Sequence, residues 1–138
     1  VLDVTVGGNS PEAGITFYLC EDHHYDLYLK QGEGICNAEL RLTTGDAQCV
    51  KASAALAEGQ EKVHFHVESN EEFYIFSVEI AGERKELGKA RTKYLSSEVA
   101  GGFTGTVMAM YAVNPEEKED AWAEFYDLQW TMKKWQDQ

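Results

Sequence analysis

The chain has 138 residues and a formal charge of −12 at pH 7, from 12 Lys and Arg against 24 Asp and Glu. This length predicts one domain over residues 1–138, and the hydrophobic fraction of 43% is enough to fill its core. The acidic balance argues against nucleic acid and anionic membrane surfaces as partners, because both are bound through Lys and Arg, and no apolar run approaches the roughly 20 residues that span a bilayer.

The dominant pattern along the chain is alternation of apolar and polar residues. A period of two residues is typical of strands that bury one face. The clearest runs are, in chain order, 15–20, 25–30, 63–68 and 74–80, and turn signals lie at 21–22, 32–34, 44–46, 69–70 and 81–83. Many short strands joined by tight turns predict an all-β fold, an antiparallel two-sheet β-sandwich.

Two stretches are also compatible with helix. The segment 52–57 contains good helix formers, but it is short and continues a strand-like pair before it. Over residues 126–133, alternation fits better than a helical period, so a strand is predicted with Tyr126 and Trp130 on the same face. A helical last turn after Lys133 stays open.

The cysteines bear on the compartment. Cys20, Cys36 and Cys49 are an odd number, and their spacing fits neither a complete disulfide set nor a thiolate zinc site. Free thiols and the lack of a signal-like start favour the cytoplasm over secretion. The sequence begins at Val1 without Met, and we expect the domain to be part of a longer chain.

The sequence His64-Phe65-His66 places two imidazoles on one face of a predicted strand, where a metal ion could bridge them. The spacing resembles that of cupins and double-stranded β-helix metal oxygenases, in which a glutamate follows the histidine pair, as Glu71 does here. A small metal-dependent β-barrel enzyme is therefore one alternative. Its third histidine is missing, because no His follows His66.

Other third ligands for His64 and His66 are poor. They would have to come from Glu68 on the same strand, from Glu71 past the turn, or from the adjacent histidines 23 and 24 on another strand. A catalytic metal site normally needs three protein ligands and a second shell that orients them. We therefore predict no metal or other cofactor of functional importance, with His64, His66 and Glu71 as the only metal candidates.

No complete active site appears in the chain. It lacks a nucleophile elbow, a phosphate loop and a dinucleotide glycine pattern, and its many carboxylates sit in turns and on polar faces. We predict no catalytic residue. Aromatic rings are more suggestive because they stack on sugars, and a stand-alone carbohydrate-binding module is a second alternative. The rings concerned are Tyr18, Tyr28, Phe73, Phe103, Tyr111 and the three tryptophans, Trp122, Trp130 and Trp135.

A more specific pattern lies at 95–112, LSSEVAGGFTGTVMAMYA. It resembles the late segment of the C-terminal β-sandwich domain of glycoside hydrolase family 43, the β-xylosidases and α-L-arabinofuranosidases, where the segment reads much like LSTEVAGGFTGxxxGxYA. Ala109 stands where that pattern has glycine. The strand 123–130 is similar to the family's AxFDWFxY, with Tyr126-Asp127 in place of Asp-Trp, and 12–15 is similar to its EAGL.

This resemblance implies a concanavalin-like jelly roll packed against a catalytic β-propeller. The propeller carries the catalytic acids of an inverting hydrolase and is not in this chain. The chain would then be a non-catalytic accessory domain acting with a propeller on xylo- or arabino-oligosaccharides. In part of the family an aromatic from a sandwich loop closes one side of the sugar site, and the matching residue is Phe103, bracketed by Gly101-Gly102 and Gly105.

Overall fold

The computed structural model describes residues 1–32, 34–95, 106–117 and 119–131. Ten strands form in chain order: β1 Leu2–Gly8, β2 Glu12–Cys20, β3 His23–Gln31, β4 Cys36–Thr44, β5 Ala47–Ala55, β6 Lys62–Ser69, β7 Phe73–Ile80, β8 Glu83–Arg91, β9 Val107–Val113 and β10 Ala123–Trp130. A short 3-10 helix, Thr92–Leu95, follows β8, and the described residues contain no α-helix. None of them therefore forms a helix with the length and apolar character that crossing a membrane requires.

The strands make two antiparallel sheets. Sheet I has the order β10-β1-β6-β7-β8, and sheet II has the order β5-β4-β3-β2-β9. The two sheets close against each other on one side, where β5 packs beside β8. On the other side the edge strands are β9 and β10, and we call this the open side. The predicted two-sheet sandwich is confirmed.

The core lies between the sheets and contains the apolar faces that alternation predicted. The buried residues of those faces are Ile15, Phe17, Leu19, Tyr25, Leu27, Leu29, Val63, Phe65, Val67, Phe76, Val78 and Ile80. Segment 52–57 begins inside β5, so its first residues form strand. Pairing with β4 outweighs the helix propensity of this segment, because the strand gains hydrogen bonds to β4 and packs against its neighbours.

The tail is a strand, but one prediction about its faces is wrong. Tyr126 pairs with Thr5 on the outer face, while Trp130 pairs with Leu2, whose side chain faces the core. The register shifts between these pairs, and Asp127 has a positive φ of 51°. An extra residue in one strand reverses the faces beyond it, so simple alternation fails across this bulge. Residues after Lys133 lie outside the described part of the chain.

Gly14 marks a close approach between β2 and β3. A Cβ atom at this position would lie 2.1 Å from the carbonyl oxygen of Leu27 and 2.5 Å from the Cα of Tyr28. Both contacts are with backbone, so no side-chain rotation relieves them. The backbone of β3 can therefore hold this position only opposite a glycine.

We expect Gly14→Ala to lower the free energy of unfolding by roughly 1–3 kcal/mol, because the strands must separate to admit the methyl group. Urea unfolding measures this loss. The matched control is Gly32→Ala, where the nearest atom to the new Cβ is the Ile35 oxygen at 3.5 Å. The control should stay within about 0.5 kcal/mol of the parent. Equal losses in the two variants would contradict the close approach.

Candidate functional site

The outer face of sheet II carries a charged network centred on Asp26. Cross-strand pairing sets Asp26 between Thr16 on β2 and Arg41 on β4. Its Oδ1 accepts a hydrogen bond from the Thr16 hydroxyl at 2.7 Å and lies 2.8 Å from Nδ1 of His24, and its Oδ2 accepts from Nε of Arg41 at 2.9 Å. Asp26 is only 2% exposed, so these hydrogen bonds replace those that its carboxylate would make with water.

Arg41 links this carboxylate to a second one. Its two terminal nitrogens donate to the two oxygens of Glu12, at 3.1 and 2.8 Å, and the Tyr111 hydroxyl donates to Glu12 at 2.8 Å. The guanidinium carbon lies 4.5 Å from the centre of the Tyr28 ring, whose hydroxyl donates to Glu39 at 2.9 Å. Paired hydrogen bonds and a ring beneath the cation fix Arg41 in one orientation.

The electrostatics of this network oppose acid–base catalysis. Burial alone raises the pKa of Asp26, but hydrogen bonds from His24, Thr16 and Arg41 outweigh it and hold the pKa below the usual range. A glycosidase acid needs a raised pKa so that it carries a proton to the leaving group. Glu12 and Asp26 instead share one guanidinium, and the group acts as a fixed ion network. The sequence alone does not reveal this network, because the cross-strand register that brings its residues together is not visible within any one strand.

A second cluster lies on the outer face of sheet I and brings the predicted histidine pair together with Asp3. The register pairs Asp3 with His66 and Thr5 with His64. Oδ1 of Asp3 lies 2.8 Å from Nε2 of His64 and 2.7 Å from Nδ1 of His66, and Nε2 of His66 lies 3.1 Å from Glu68. Burial raises the pKa of Asp3, but the two histidine contacts outweigh it and lower the pKa overall.

Asp3 is the group that the sequence analysis missed. The sequence does contain a pattern that predicts its strand, because Leu2, Val4 and Val6 alternate with polar residues along β1. This alternation also places Asp3 on the outer face. Glu71 does not join the cluster, and its backbone carbonyl in the turn after β6 accepts a hydrogen bond from Thr92 at 2.6 Å. The adjacent histidines 23 and 24 lie on sheet II, away from this cluster.

Several of the aromatic rings proposed as a sugar platform are covered, whereas Trp122 and Trp130 are 49% and 58% exposed, and Trp135 lies outside the described residues. Tyr28 is 1% exposed, and the hydroxyl of Tyr111 is held by a glutamate. Tyr18 stacks on His24, with ring centres 5.9 Å apart, and the Phe73 ring is approached by two cations of β8. These contacts take up ring faces that a bound sugar would need.

The open side of the sandwich is apolar. Its large exposed residues lie on β9, on β10 and just before β10: Val107, Met110, Val113, Trp122, Leu128 and Trp130. Among the described residues, no strand pairs with the outer edge of β9 or β10. A cavity of about 180 Å³ is lined by residues from both edge strands, including Met108 and Trp130. Phe103 lies outside the described residues.

Comparison with known proteins gives one family and several relatives. A family model described as the β-xylosidase C-terminal concanavalin A-like domain, GH43_C2, matches residues 1–131. The non-reducing end α-L-arabinofuranosidase BoGH43B of Bacteroides ovatus is 33% identical over 101 residues, which cover 73% of this chain and 19% of that protein.

Solved structures agree on the fold. The structure described as Bacteroides ovatus xyloglucan PUL GH43B superposes with a TM-score of 0.79 at 28% identity, over 93% of this chain and 27% of the other. A GH43_12 protein from a capybara gut metagenome gives 0.72 at 24% identity, over 78% and 22% of the two chains. Bacillus licheniformis BlXynB gives 0.76 at 19% identity, over 90% and 25%. The chain therefore spans between 19% and 27% of the lengths of these relatives.

The Asp26 network generates a prediction about acid stability. Because the pKa of Asp26 is lowered in the folded chain, its stabilising effect is complete above the unfolded pKa of about 3.9 and is lost as the pH falls through the folded pKa. At neutral pH, Asp26→Asn should cost about 3 kcal/mol, the scale for removing one partner of a buried ion pair. The gap between parent and variant should narrow as the pH drops below about 4.

Urea unfolding at a series of pH values measures this gap. The matched control is Asp46→Asn in the exposed turn between β4 and β5, which should stay within about 0.5 kcal/mol of the parent throughout. A gap between parent and Asp26→Asn that stays constant with pH would contradict the role given to Asp26.

Proposed function

This chain belongs to the β-xylosidase C-terminal concanavalin A-like domains of glycoside hydrolase family 43, and from that premise we propose that it is the non-catalytic accessory domain of a glycosidase acting on xylan- or arabinoxylan-derived oligosaccharides. One relative is named an α-L-arabinofuranosidase, and the chain spans only 19% of it. The catalytic acids would then belong to a propeller domain of the same protein.

The observation that carries this proposal is the apolar open side. In the described part of the chain, these two edges have no neighbouring strand, and six large exposed apolar residues lie on or beside their strands. Soluble domains normally cover such edges and residues. The rest of the chain supplies a strongly acidic surface that suits solvent. We assign the open side to the catalytic propeller, because the relatives contain far more chain than this domain.

The Asp26 network supports the expectation that this domain supplies no catalytic carboxylate pair. There Arg41 joins Glu12 and Asp26 and neutralises both. An inverting pair needs one proton-bearing acid and one free base separated by a water molecule. Neither role is compatible with a carboxylate locked on a guanidinium.

Phe103 is proposed as a wall of the propeller's sugar site. The described residues on either side of it are Leu95 and Thr106, and the Thr106 hydroxyl donates to the Leu95 carbonyl at 2.6 Å. Thr106 also lines the cavity to which both open-side strands contribute. The segment that carries Phe103 therefore starts and ends beside the surface assigned to the propeller.

A stand-alone carbohydrate-binding module is the competing function. The covered faces of Tyr28, Tyr18 and Phe73 count against it, because sugar binding needs a bare ring. Trp122 and Trp130 are exposed, and here they are assigned to the interface with the propeller. Titration of the isolated chain with xylo- and arabino-oligosaccharides separates the two. Saturable binding by the isolated chain would favour the module.

A charged substitution on the open side should affect the two-domain protein more than the same substitution elsewhere on the sandwich. In the protein that joins this chain to its propeller, Met110→Lys and Trp130→Lys should each weaken the interface by roughly 1–3 kcal/mol, because each buries a charge where an apolar side chain packed. Differential scanning calorimetry should show the two domains unfolding at separate temperatures. The control is Val50→Lys on β5, which is 51% exposed and lies away from the open side, and it should leave unfolding unchanged. Equal effects at all three positions would contradict the assignment.

The Phe103 proposal predicts a kinetic effect. In the joined protein, Phe103→Ala should remove about 1–3 kcal/mol of transition-state stabilisation, a roughly 5- to 150-fold loss in kcat/KM on aryl xylosides or arabinosides. The melting temperature should hardly change, and the isolated chain should show no hydrolysis at all. Unchanged kinetics with a large loss of stability would make Phe103 an ordinary packing residue.

A further inference from the structure

We propose that Asp3, His64 and His66 bind one divalent transition-metal ion of the Zn²⁺ class on the outer face of sheet I. The prediction that the histidine pair binds no functional metal rested on the lack of a good third ligand. Asp3 now provides that third group from the neighbouring strand. The site needs no other domain, so it is independent of the proposed function.

The strand register builds the tripod. Asp3 lies directly opposite His66, and His64 lies two residues along the same face of β6. One ligand atom from each residue lies within 4.8 Å of the other two. A tetrahedral ion at about 2.0–2.1 Å from each ligand holds ligand atoms roughly 3.3 Å apart. The Asp3 contacts of 2.7 and 2.8 Å need to open by about 0.5 Å, and the two imidazole nitrogens, which lie within 4.8 Å of each other, must come to the same spacing.

Each imidazole also has a partner for its second nitrogen. Nε2 of His66 lies 3.1 Å from Glu68, and Nδ1 of His64 lies 3.4 Å from the Thr5 hydroxyl. Metal-binding histidines normally have such a partner, which fixes the ring orientation and the nitrogen left for the metal. The other nitrogen of each ring, Nε2 in His64 and Nδ1 in His66, points at Asp3.

His66 lies between two carboxylates. This side chain is 8% exposed, and its two nitrogens face oxygens of Asp3 and Glu68. An imidazole that donates its N–H to Glu68 presents the lone pair of Nδ1 towards Asp3, and both groups could then bind one cation. The chain's charge of −12 raises the local cation concentration.

The donor set selects the kind of ion. Two imidazole nitrogens and one carboxylate suit Zn²⁺ and its transition-metal neighbours, whereas Ca²⁺ and Mg²⁺ prefer oxygen ligands. The side chains of Asp3 and His64 are 25% and 29% exposed, so water can reach a fourth position. An ion held in this way would cross-link β1 and β6 on the face opposite the core.

Isothermal titration of the chelator-stripped chain with Zn²⁺ tests the proposal. We expect one ion per chain, with at least tenfold weaker binding in each of Asp3→Asn, His64→Gln and His66→Gln. Glu68→Gln, which alters the partner of Nε2 of His66, should weaken binding 10- to 100-fold. The matched control is His23→Gln, which removes a histidine that faces Cys20 at 3.6 Å and should change nothing.

A spectrum of the parent chain with Co²⁺ tests the ligand set without any substitution that could unfold the protein. Tetrahedral visible bands without a thiolate charge-transfer band would support nitrogen and oxygen ligands. A thiolate band, loss of binding in His23→Gln, undiminished binding in a His64→Gln and His66→Gln double variant, or no stoichiometric binding in the parent would each overturn the proposal.

Discussion

The antiparallel register between strands is the constraint on which the rest of this structure depends. Apolar residues alternate along each strand, so a slip of one residue would turn a whole core face towards solvent. The core therefore fixes which residues lie opposite each other, and the outer faces inherit that pairing. Asp26 meets Thr16 and Arg41, and Asp3 meets His66, because Leu27 and Val4 are buried beside them. Hydrophobic packing in the core therefore determines which polar side chains meet on the outer faces of the sheets.

The sequence predicts the faces of single strands well, because period two is a local property. It correctly places Phe65 and Val67 in the core and His64 and His66 outside. It does not give the order of strands, and this is why Asp3, 61 residues away from His64, was missed. It also fails where one residue breaks the period, as Asp127 does in β10. Family resemblance added the fold type, and it is the sole source of the role given to Phe103.

The two sides of the sandwich differ in how their edges are managed. On one side β5 and β8 pack beside each other, and Lys51 reaches across to donate to the carbonyl of Lys89 at 2.6 Å. On the open side β9 and β10 expose large apolar residues, and the exposed charge among their described residues is Asp127. Natural sandwiches commonly protect free edges with charged side chains or bulges, and in the described residues of these two strands both devices occur at Asp127 in β10. An exposed apolar edge promotes aggregation, and contact with another domain would prevent this.

The two outer clusters share residue types but differ in charge balance, and this difference separates a structural role from a binding role. In the Asp26 network Arg41 supplies a permanent cation, and each oxygen of Asp26 has a partner. The charges of that network are balanced among its own side chains. Around Asp3, the contacts given for the described residues are with two histidines, and two carboxylates converge on one imidazole. The first cluster contains a permanent cation, while the second is built from groups that can also bind a metal ion. The same sheet geometry thus yields a closed network on one face and a receptive one on the other.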